Sequence, residues 1–211
     1  FQAEDGIRDF CLSRGLGDVY KRQALLKTLP EREFKSGIAE IIKYGLIYNK
    51  KIFNIFEKKH ELILKRNQRV IEELIHESVK TKAKIVTEDE RELGIRAILN
   101  FGHTYGHAIE AINNYKNILH GEAVAMGMRM ASKMSMLEGH LNEKAYKKII
   151  NVFDALGFPK NTSNNYSDLK KFIMNDKKVK SGNISLILLK EIGLAFQTQE
   201  FKIENFKKSF S

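Results

Sequence analysis

Apolar residues recur at helical spacing along most of this chain, and few residues interrupt the pattern. The chain has only two prolines, Pro30 and Pro159, and no low-complexity linker. Apolar side chains three and four residues apart fall on one face of a helix, so the pattern predicts amphipathic helices that pack on a common core. The sequence therefore predicts a mainly α, multi-helix fold.

The bounds of the helices are predicted from this periodicity and from capping residues. In the helix that begins near Gln68 we expect Ile71, Leu74, Ile75 and Val79 to face the core. The predicted helices run from a cap at Ser36 through Leu46, from Ile52 to about Leu64, from about Gln68 to Val86, from Gly102 to Asn113, from His120 to Leu137, from Asn142 or Glu143 to Gly157, and from a cap at Ser167 to Met174.

A small β-hairpin is predicted near the C-terminus. The two apolar runs 184–189 and 194–201 are separated by Glu191-Ile192-Gly193, which is typical of a turn. Elsewhere the sequence has no strand that leads through a glycine-rich turn into a helix. It therefore has no dinucleotide-binding fingerprint of its own.

Length and cysteine content limit the class of protein. The 211 residues suffice for one good-sized domain or two small ones. The single cysteine, Cys11, excludes a disulfide within the chain and favours a reducing, cytoplasmic compartment. No apolar run approaches the roughly 18 residues that a membrane-spanning helix needs, so we expect no membrane association.

The N-terminal residues differ in character from the rest of the sequence. The chain begins with Phe1, and we expect it to be a fragment. Residues 1–23 resemble translated sequencing-adapter read-through, and we interpret them as a non-native or irregular leader without a secretory signal. A native but irregular segment is the alternative. Residues 24–211 are then predicted to form the helical domain.

The formal charge of +10 indicates an anionic partner or a solvated lysine-rich surface. Residues 1–23 hold four acidic and four basic residues, so the excess lies in residues 24–211. The lysines there are scattered over helices, as in Lys147-Lys148, and no aromatic residues interleave with them as in nucleic-acid-binding stripes. The charge therefore favours solvated helix faces, although a basic helical module that binds nucleic acid stays open as an alternative.

Two histidines and a glutamate share one face of a predicted helix. His103 and His107 are four residues apart, and Glu110 follows three residues later. Core packing explains poorly why two imidazoles and a carboxylate lie on one face, so the spacing predicts a divalent metal site, such as Zn²⁺. His120 begins the next long helix and joins this group. A polar cluster that satisfies itself is the alternative.

Other polar residues near these histidines are weaker candidates. Glu40 lies in an apolar segment of the first helix, but spacing alone favours a surface ion pair with Lys43. Arg96 and Asn100 stand just before the first histidine and suit the binding of an anion or a hydroxyl group. The loop Asp176-Lys177-Lys178 is either a solvated surface or a phosphate contact.

Long stretches of the chain, rather than isolated residues, resemble a known protein family. One stretch runs from Arg96 to Glu110 and includes the first two histidines. The others are Thr28-Leu29-Pro30, Gly37-Ile38-Ala39-Glu40-Ile41-Ile42-Lys43-Tyr44-Gly45, Asp89-Glu90-Arg91-Glu92, His120-Gly121-Glu122-Ala123-Val124, Asp176-Lys177-Lys178 and the hairpin turn Ile192-Gly193. Together they resemble the 3-dehydroquinate synthase family from about residue 24 to the end. The implied fold is the family's multi-helix C-terminal domain, with its small β-hairpin.

The resemblance implies how the site is divided between metal and substrate. Glu40, His103 and His120 match the ligands of a divalent metal, Zn²⁺ or Co²⁺. This set replaces the ligand pair that spacing favoured, because His107 matches a substrate-site residue. The other residues that match the lining of the substrate pocket are Lys82, Glu92, Arg96, Leu99, Asn100 and one of Lys177 and Lys178.

The resemblance also implies NAD as a cofactor, held in the family mainly by an N-terminal α/β domain. Leu25, Leu26, Lys27 and Thr28 match a piece that touches NAD near the junction of the two domains. The rest of that domain, with two further substrate-contacting lysines, is expected to be missing upstream of residue 24. We therefore expect this chain alone to bind metal without turning over substrate. A homodimer is implied for the intact family protein.

The implied reaction is the cyclisation of a seven-carbon sugar-acid phosphate to 3-dehydroquinate with elimination of phosphate, a lyase step of the shikimate pathway. A sister sugar phosphate cyclase, which makes a cyclitol or valiolone-type product by the same chemistry, is the first alternative. Arg96, Asn100 and His107 follow the dehydroquinate pattern and favour the main interpretation. The nucleic-acid-binding module is the second alternative, and a metal-binding assay separates it from both enzymes.

Overall fold

The computed structural model describes residues 26, 28–91, 94–160, 166–174 and 184–210. The chain divides into two compact units, Phe1–Phe34 and Lys35–Ser211. In the first unit, the described residues lead through Pro30 into the first helix, where the Phe34 N–H donates to the Pro30 carbonyl oxygen at 2.9 Å. The second unit contains the helices and the hairpin that form the site.

The described elements are mostly helices, followed by one antiparallel hairpin and a short last helix, which confirms the predicted fold class. Within the described residues, no helix is long and apolar enough to cross a membrane. In chain order the elements are α1 (Glu31–Ile47), α2 (Lys50–Leu64), α3 (Gln68–Glu88), the 3₁₀ helix η1 (Ile95–Asn100), α4 (His103–Ile112), α5 (His120–Leu137), α6 (Glu143–Ala155), α7 (Tyr166–Met174), β1 (Leu186–Glu191), β2 (Leu194–Thr198) and α8 (Ile203–Lys208).

Helix α5 is buried along most of its length because four other elements pack around it. It contacts α4, α6, β1 and α8. Its composition of Ala, Met and Gly suits this position, since small residues let backbones approach and Met fills the remaining gaps. The one charged side chain buried in this helix, Arg129, donates to Asp154 on α6 at 2.6 Å. The bounds predicted for this helix are confirmed.

The hairpin is attached to α5 through a buried hydrogen bond. The β1 and β2 strands pair antiparallel, with Leu186 opposite Thr198 and a register shift between Leu189 and Glu191. The Leu189 N–H donates to the Ser135 hydroxyl of α5 at 2.9 Å. This N–H is therefore satisfied by a side chain of α5 rather than by another strand.

Two predicted helix caps are wrong. Helix α1 begins at Glu31, five residues before Ser36, because Pro30 suits a helix start and Glu31 and Glu33 favour the positive end of the helix dipole. Ser36 lies inside the helix, where its hydroxyl accepts the Gly121 N–H at 3.0 Å. Ser167 likewise lies inside α7, which begins at Tyr166.

The core face of α3 is only partly as predicted. Ile71 and Leu74 are buried, but Ile75 is only partly buried and Val79 is 43% exposed. The buried stripe continues through Ser78 and on to Thr81 instead. Both hydroxyls donate to carbonyl oxygens of the preceding turn, at 2.6 and 2.7 Å, so these polar side chains are satisfied inside the core.

Candidate metal centre

Three side chains from three different helices converge in the second unit. Glu40 comes from the middle of α1, His103 from the first residue of α4 and His120 from the first residue of α5. One ligand atom of each lies within 4.8 Å of the others. The Nε2 atoms of His103 and His120 lie 3.8 and 3.7 Å from the same oxygen, Oε1 of Glu40. These are the three residues that the family resemblance implies as metal ligands.

The glutamate presents one oxygen to the histidines and the other to a lysine. Oε2 of Glu40 accepts a hydrogen bond from Nζ of Lys43 at 2.7 Å. Oε1 is buried and makes no hydrogen bond to any part of the chain that the structure describes. A buried carboxylate oxygen without a partner is costly, and a cation would satisfy it. Two imidazole nitrogens and a carboxylate oxygen fit a divalent metal such as Zn²⁺ or Co²⁺.

The environment of Glu40 keeps the carboxylate ionised. Burial by itself raises its pKa, but the Lys43 ammonium, its hydrogen bond and the two imidazoles together outweigh burial, so the pKa lies below its ordinary value. Lys43 is only 4% exposed. The surface ion pair that spacing favoured is therefore wrong, because α1 buries Lys43 and the Oε1 atom of Glu40.

His120 is held by a second carboxylate. Its Nδ1 lies 3.0 Å from Oε1 of Glu110 on α4. The hydrogen bond to Glu110 is the main reason why the pKa of His120 is raised above its ordinary value, although partial burial opposes it. In His103, Nδ1 lies 3.2 Å from the backbone carbonyl oxygen of Phe101. Each histidine thus has its Nδ1 beside an oxygen acceptor and its Nε2 beside Glu40.

His107 completes the group of imidazoles without belonging to the ligand cluster. Its ring lies edge-on to that of His103, with 5.4 Å between the ring centres, and 6.3 Å from that of His120. It stands one helical turn after His103 on α4, and the two histidines therefore share a face as their spacing predicted. The cluster of potential metal ligands consists of Glu40, His103 and His120.

Close backbone contacts at glycines bring the three helices together. A Cβ atom on Gly121 would lie 2.1 Å from the carbonyl oxygen of Ser36 on α1, and one on Gly127 would lie 2.1 Å from that of Gly102. Gly102 itself has a φ of +79°, which side chains disfavour, immediately before α4 begins. Larger residues at these positions would push the ligand-bearing helix ends apart.

The predicted pocket residues on η1 and α3 lie on neighbouring elements. Arg96 and Asn100 belong to η1, which leads through Phe101 into α4, and Lys82 lies on α3, which packs against η1. The Arg96 guanidinium donates to the Glu90 carbonyl oxygen at 3.3 Å. Within the described residues, no hydrogen bond or ion pair links Lys82 or Arg96 to the histidines.

The remaining predicted site residues lie outside the described part of the second unit. Glu92, Lys177 and Lys178 lie outside the described residues, as do Leu25 and Lys27. Leu26 and Thr28 are described, but they belong to the first compact unit. Their roles in binding substrate and NAD stay predictions.

Sequence reasoning missed two contributors to the site. Lys43 was dismissed as a surface residue, although its place among apolar residues in Ile41-Ile42-Lys43 was a signal of burial. The interaction of Ser36 with Gly121 joins residues 85 positions apart, and no local pattern indicated it.

Solved structures of two synthases share this fold. A 2-epi-5-epi-valiolone synthase (ValA) from Streptomyces hygroscopicus subsp. jinggangensis 5008, with NAD+ and Zn²⁺ bound, matches with a TM-score of 0.80 at 22% identity, over 89% of this chain and 52% of that one. A 2-deoxy-scyllo-inosose synthase complexed with carbaglucose-6-phosphate, NAD+ and Co²⁺ matches with a TM-score of 0.68 at 21% identity, over 86% of this chain and 53% of that one. The likeness places the fold in the structural class of these synthases.

Sequence comparison narrows the class to one family. The family described as 3-dehydroquinate synthase C-terminal matches residues 37–179. The 3-dehydroquinate synthase of Dictyoglomus thermophilum is 46% identical over 168 residues, 80% of this chain and 47% of the relative. That of Thermodesulfovibrio yellowstonii is 41% identical over 185 residues, 87% of this chain and 52% of the relative. The chain belongs to the 3-dehydroquinate synthase C-terminal family, and it spans about half the length of the curated relatives it matches.

Proposed function

We propose that this chain supplies the metal- and substrate-binding half of a 3-dehydroquinate synthase, which cyclises a seven-carbon sugar-acid phosphate with loss of phosphate. The observation that carries the proposal is the convergence of Glu40, His103 and His120 around the unpartnered Oε1 of Glu40. The match to the family supports it, since the curated relatives are named 3-dehydroquinate synthases. NAD and Zn²⁺ or Co²⁺ are the proposed cofactors, as named for the synthases of the same fold.

The proposed metal ligands are Glu40, His103 and His120. A divalent metal bound there supplies Lewis-acid polarisation of hydroxyl and carbonyl oxygens, and NAD supplies reversible hydride removal. Lys43 keeps the Glu40 carboxylate ionised and holds its Oε2, which leaves Oε1 to face the two imidazoles. The lysine therefore leaves Oε1 as the Glu40 oxygen that would face a bound ion.

The proposed catalytic and binding residues surround these ligands. His107 is outside the ligand cluster but its imidazole lies beside those of the proposed ligands, so it would be placed to move a proton to or from a substrate oxygen. Arg96 and Asn100, both on η1, are proposed to bind the carboxylate and hydroxyl groups of the substrate. Lys82, Glu92 and the pair Lys177 and Lys178 are proposed to line the same pocket, and the stretch 25–28 to touch NAD.

A sister sugar phosphate cyclase is the second candidate, because solved synthases with other products share the fold. Their sequences are only 21–22% identical to this chain, whereas the 3-dehydroquinate synthases reach 46%. Sequence therefore favours 3-dehydroquinate as the product. Association into homodimers and a cytoplasmic location are proposed on the same family relationship, and light scattering of the purified chain measures the first.

The metal proposal is tested by titrating the purified 211-residue chain with Zn²⁺ or Co²⁺. The Glu40→Gln variant should lose most of its affinity, because an amide is a poor ligand for these ions. Glu57→Gln is the matched control, since Glu57 also pairs with a lysine, Lys148, at 2.9 Å and has a similarly exposed side chain. Equal affinities of the two variants would contradict the assignment of Glu40.

The reaction is tested in a chimera, because the chain spans half of its relatives. Residues 24–211 replace the matching half of the Dictyoglomus thermophilum enzyme, and release of phosphate from the sugar-acid phosphate is measured with NAD and metal. We expect turnover, and a loss of about 100-fold or more in His107→Ala with unchanged metal content. A metal-loaded chimera that folds but accepts only a sugar phosphate without a carboxylate would favour the sister cyclase.

A further inference from the structure

We propose that Glu110 is a positioning residue that holds His120 in the tautomer able to bind metal, an inference that rests on the proposed metal site. Glu110 is buried on α4, with 9% exposure, and its Oε1 lies 3.0 Å from Nδ1 of His120. The His120 side chain is about half exposed. The carboxylate therefore anchors one side of a ring that is open to solvent on another.

The contact fixes which nitrogen of the ring carries the proton. A carboxylate oxygen can only accept a hydrogen bond, so Nδ1 of His120 must be the donor. In the neutral ring, Nε2 then holds the lone pair, and this is the atom that lies 3.7 Å from Oε1 of Glu40. In this tautomer the lone pair faces the centre of the ligand cluster.

His103 is oriented in the same way by a different kind of group. Its Nδ1 lies 3.2 Å from the backbone carbonyl oxygen of Phe101, and its Nε2 lies 3.8 Å from the same Glu40 oxygen. The backbone therefore orients one histidine, whereas a side chain orients the other. A substitution can remove the Glu110 carboxylate but not the Phe101 carbonyl. His103 therefore serves as an internal control for the effect of a Glu110 substitution on His120.

No competing role is evident for this carboxylate. Within the part of the chain that the structure describes, His120 is the one side chain that bonds to it. Helix α4 begins with the ligand His103 and carries Glu110 seven residues later, two turns along the same face. One helix thus supplies a ligand and the group that orients the ligand from the next helix.

The first measurement is the affinity of the full 211-residue chain for Zn²⁺ and Co²⁺, by competition with a chromogenic chelator. Loss of a hydrogen-bond partner of a metal-binding histidine typically weakens binding about 10- to 100-fold, and we expect this loss in Glu110→Ala. Glu110→Gln should weaken binding less, because its amide oxygen can still accept from Nδ1.

The matched control is Asp154→Asn, which removes the carboxylate from another partly buried ion pair. Its partner Arg129 is buried on α5, nine residues beyond His120 and so about 13 Å along the helix. This variant should lower the melting temperature without changing metal affinity. Equal affinity losses in Asp154→Asn and Glu110→Ala would overturn the proposal, because they would reflect general loosening of the fold.

The second measurement needs no metal. In the chain labelled with ¹⁵N-histidine, at a pH where the imidazoles are neutral, His120 should show the Nδ1–H tautomer in the native sequence and lose it in Glu110→Ala, while His103 keeps it. A native His120 in the Nε2–H tautomer would overturn the proposal. Failure of the native chain to bind metal would instead contradict the metal site itself, and the tautomer result would then stand by itself.

Discussion

Replacing Gly121 with alanine should disrupt the ligand cluster without touching any ligand. Gly121 follows His120 at the start of α5 and packs against the backbone of α1. An added Cβ atom would lie 2.1 Å from the Ser36 carbonyl oxygen and 2.5 Å from the Ser36 Cα. Both are backbone atoms of a helix interior, so a side-chain rotation cannot relieve the clash.

The displacement follows from these distances. Contacts of a Cβ below 3.0 Å essentially never occur, so the start of α5 must move at least 0.9 Å away from α1, the difference between 3.0 and 2.1 Å. Metal–ligand distances tolerate only about 0.2 Å. A movement of this size at the neighbour of His120 therefore separates it from Glu40, which α1 carries. Overpacking of this kind also costs about 1–3 kcal/mol in stability.

The assay is a Co²⁺ titration combined with thermal unfolding of Gly121→Ala. We expect Co²⁺ affinity to fall at least as far as in Glu110→Ala, about 10- to 100-fold, together with a lower melting temperature. Gly37→Ala is the matched control, because it is the neighbour of Ser36 in the same helix and no atom lies within 4 Å of its added Cβ. Alanine there should raise stability by about 0.5–1 kcal/mol and leave affinity unchanged.

The result that would refute this reasoning is native affinity in Gly121→Ala at a reduced melting temperature. Helices α1 and α5 would then be able to move apart while the ligand atoms keep their distances from one another. The cluster geometry would have to be set by the side chains themselves rather than by the close approach of the α1 and α5 backbones.

Two further predictions concern pH and the hairpin. The hydrogen bond to Glu110 raises the pKa of His120 above its ordinary value. Protons therefore compete with metal for this ring up to a higher pH than for a free histidine. Zn²⁺ affinity, titrated between about pH 6 and 8, should keep rising beyond pH 6.5. In the metal-free chain, rising pH has the opposite effect on stability. The unfolding free energy that the pair of His120 and Glu110 contributes is complete below the unfolded-state pKa of His120 and is lost as pH rises through its folded-state pKa. Denaturation measured at several pH values tests this. An affinity already level at pH 6 would contradict the raised pKa. Ser135→Ala should lower the unfolding free energy by about 1–3 kcal/mol, because it leaves the buried Leu189 N–H without its acceptor, and urea denaturation should show this loss with unchanged metal affinity.

The sequence by itself determined the helices best where a continuous apolar pattern met a clear end signal. Helix α5 has its predicted bounds, and Asn142 caps α6 as expected, since its side chain accepts the Ala145 N–H at 2.8 Å. The i and i+4 spacing also placed His103 and His107 on one face correctly. These features depend on residues a few positions apart, which interact in the same way in any helix.

Tertiary packing decided which face of each helix is buried and which residues meet across helices. Val79 was expected in the core and lies outside because the stripe of α3 turns through Ser78. The same is true of the site, where Glu40 is 80 positions from His120 and the close approach of α1 to α5, allowed by Gly121, brings them together. Spacing alone chose the nearest pair of histidines as ligands, and the resemblance to a known family was needed to name Glu40. A long-range contact of this kind depends on how helix backbones pack, and no local pattern in the sequence encodes that distance.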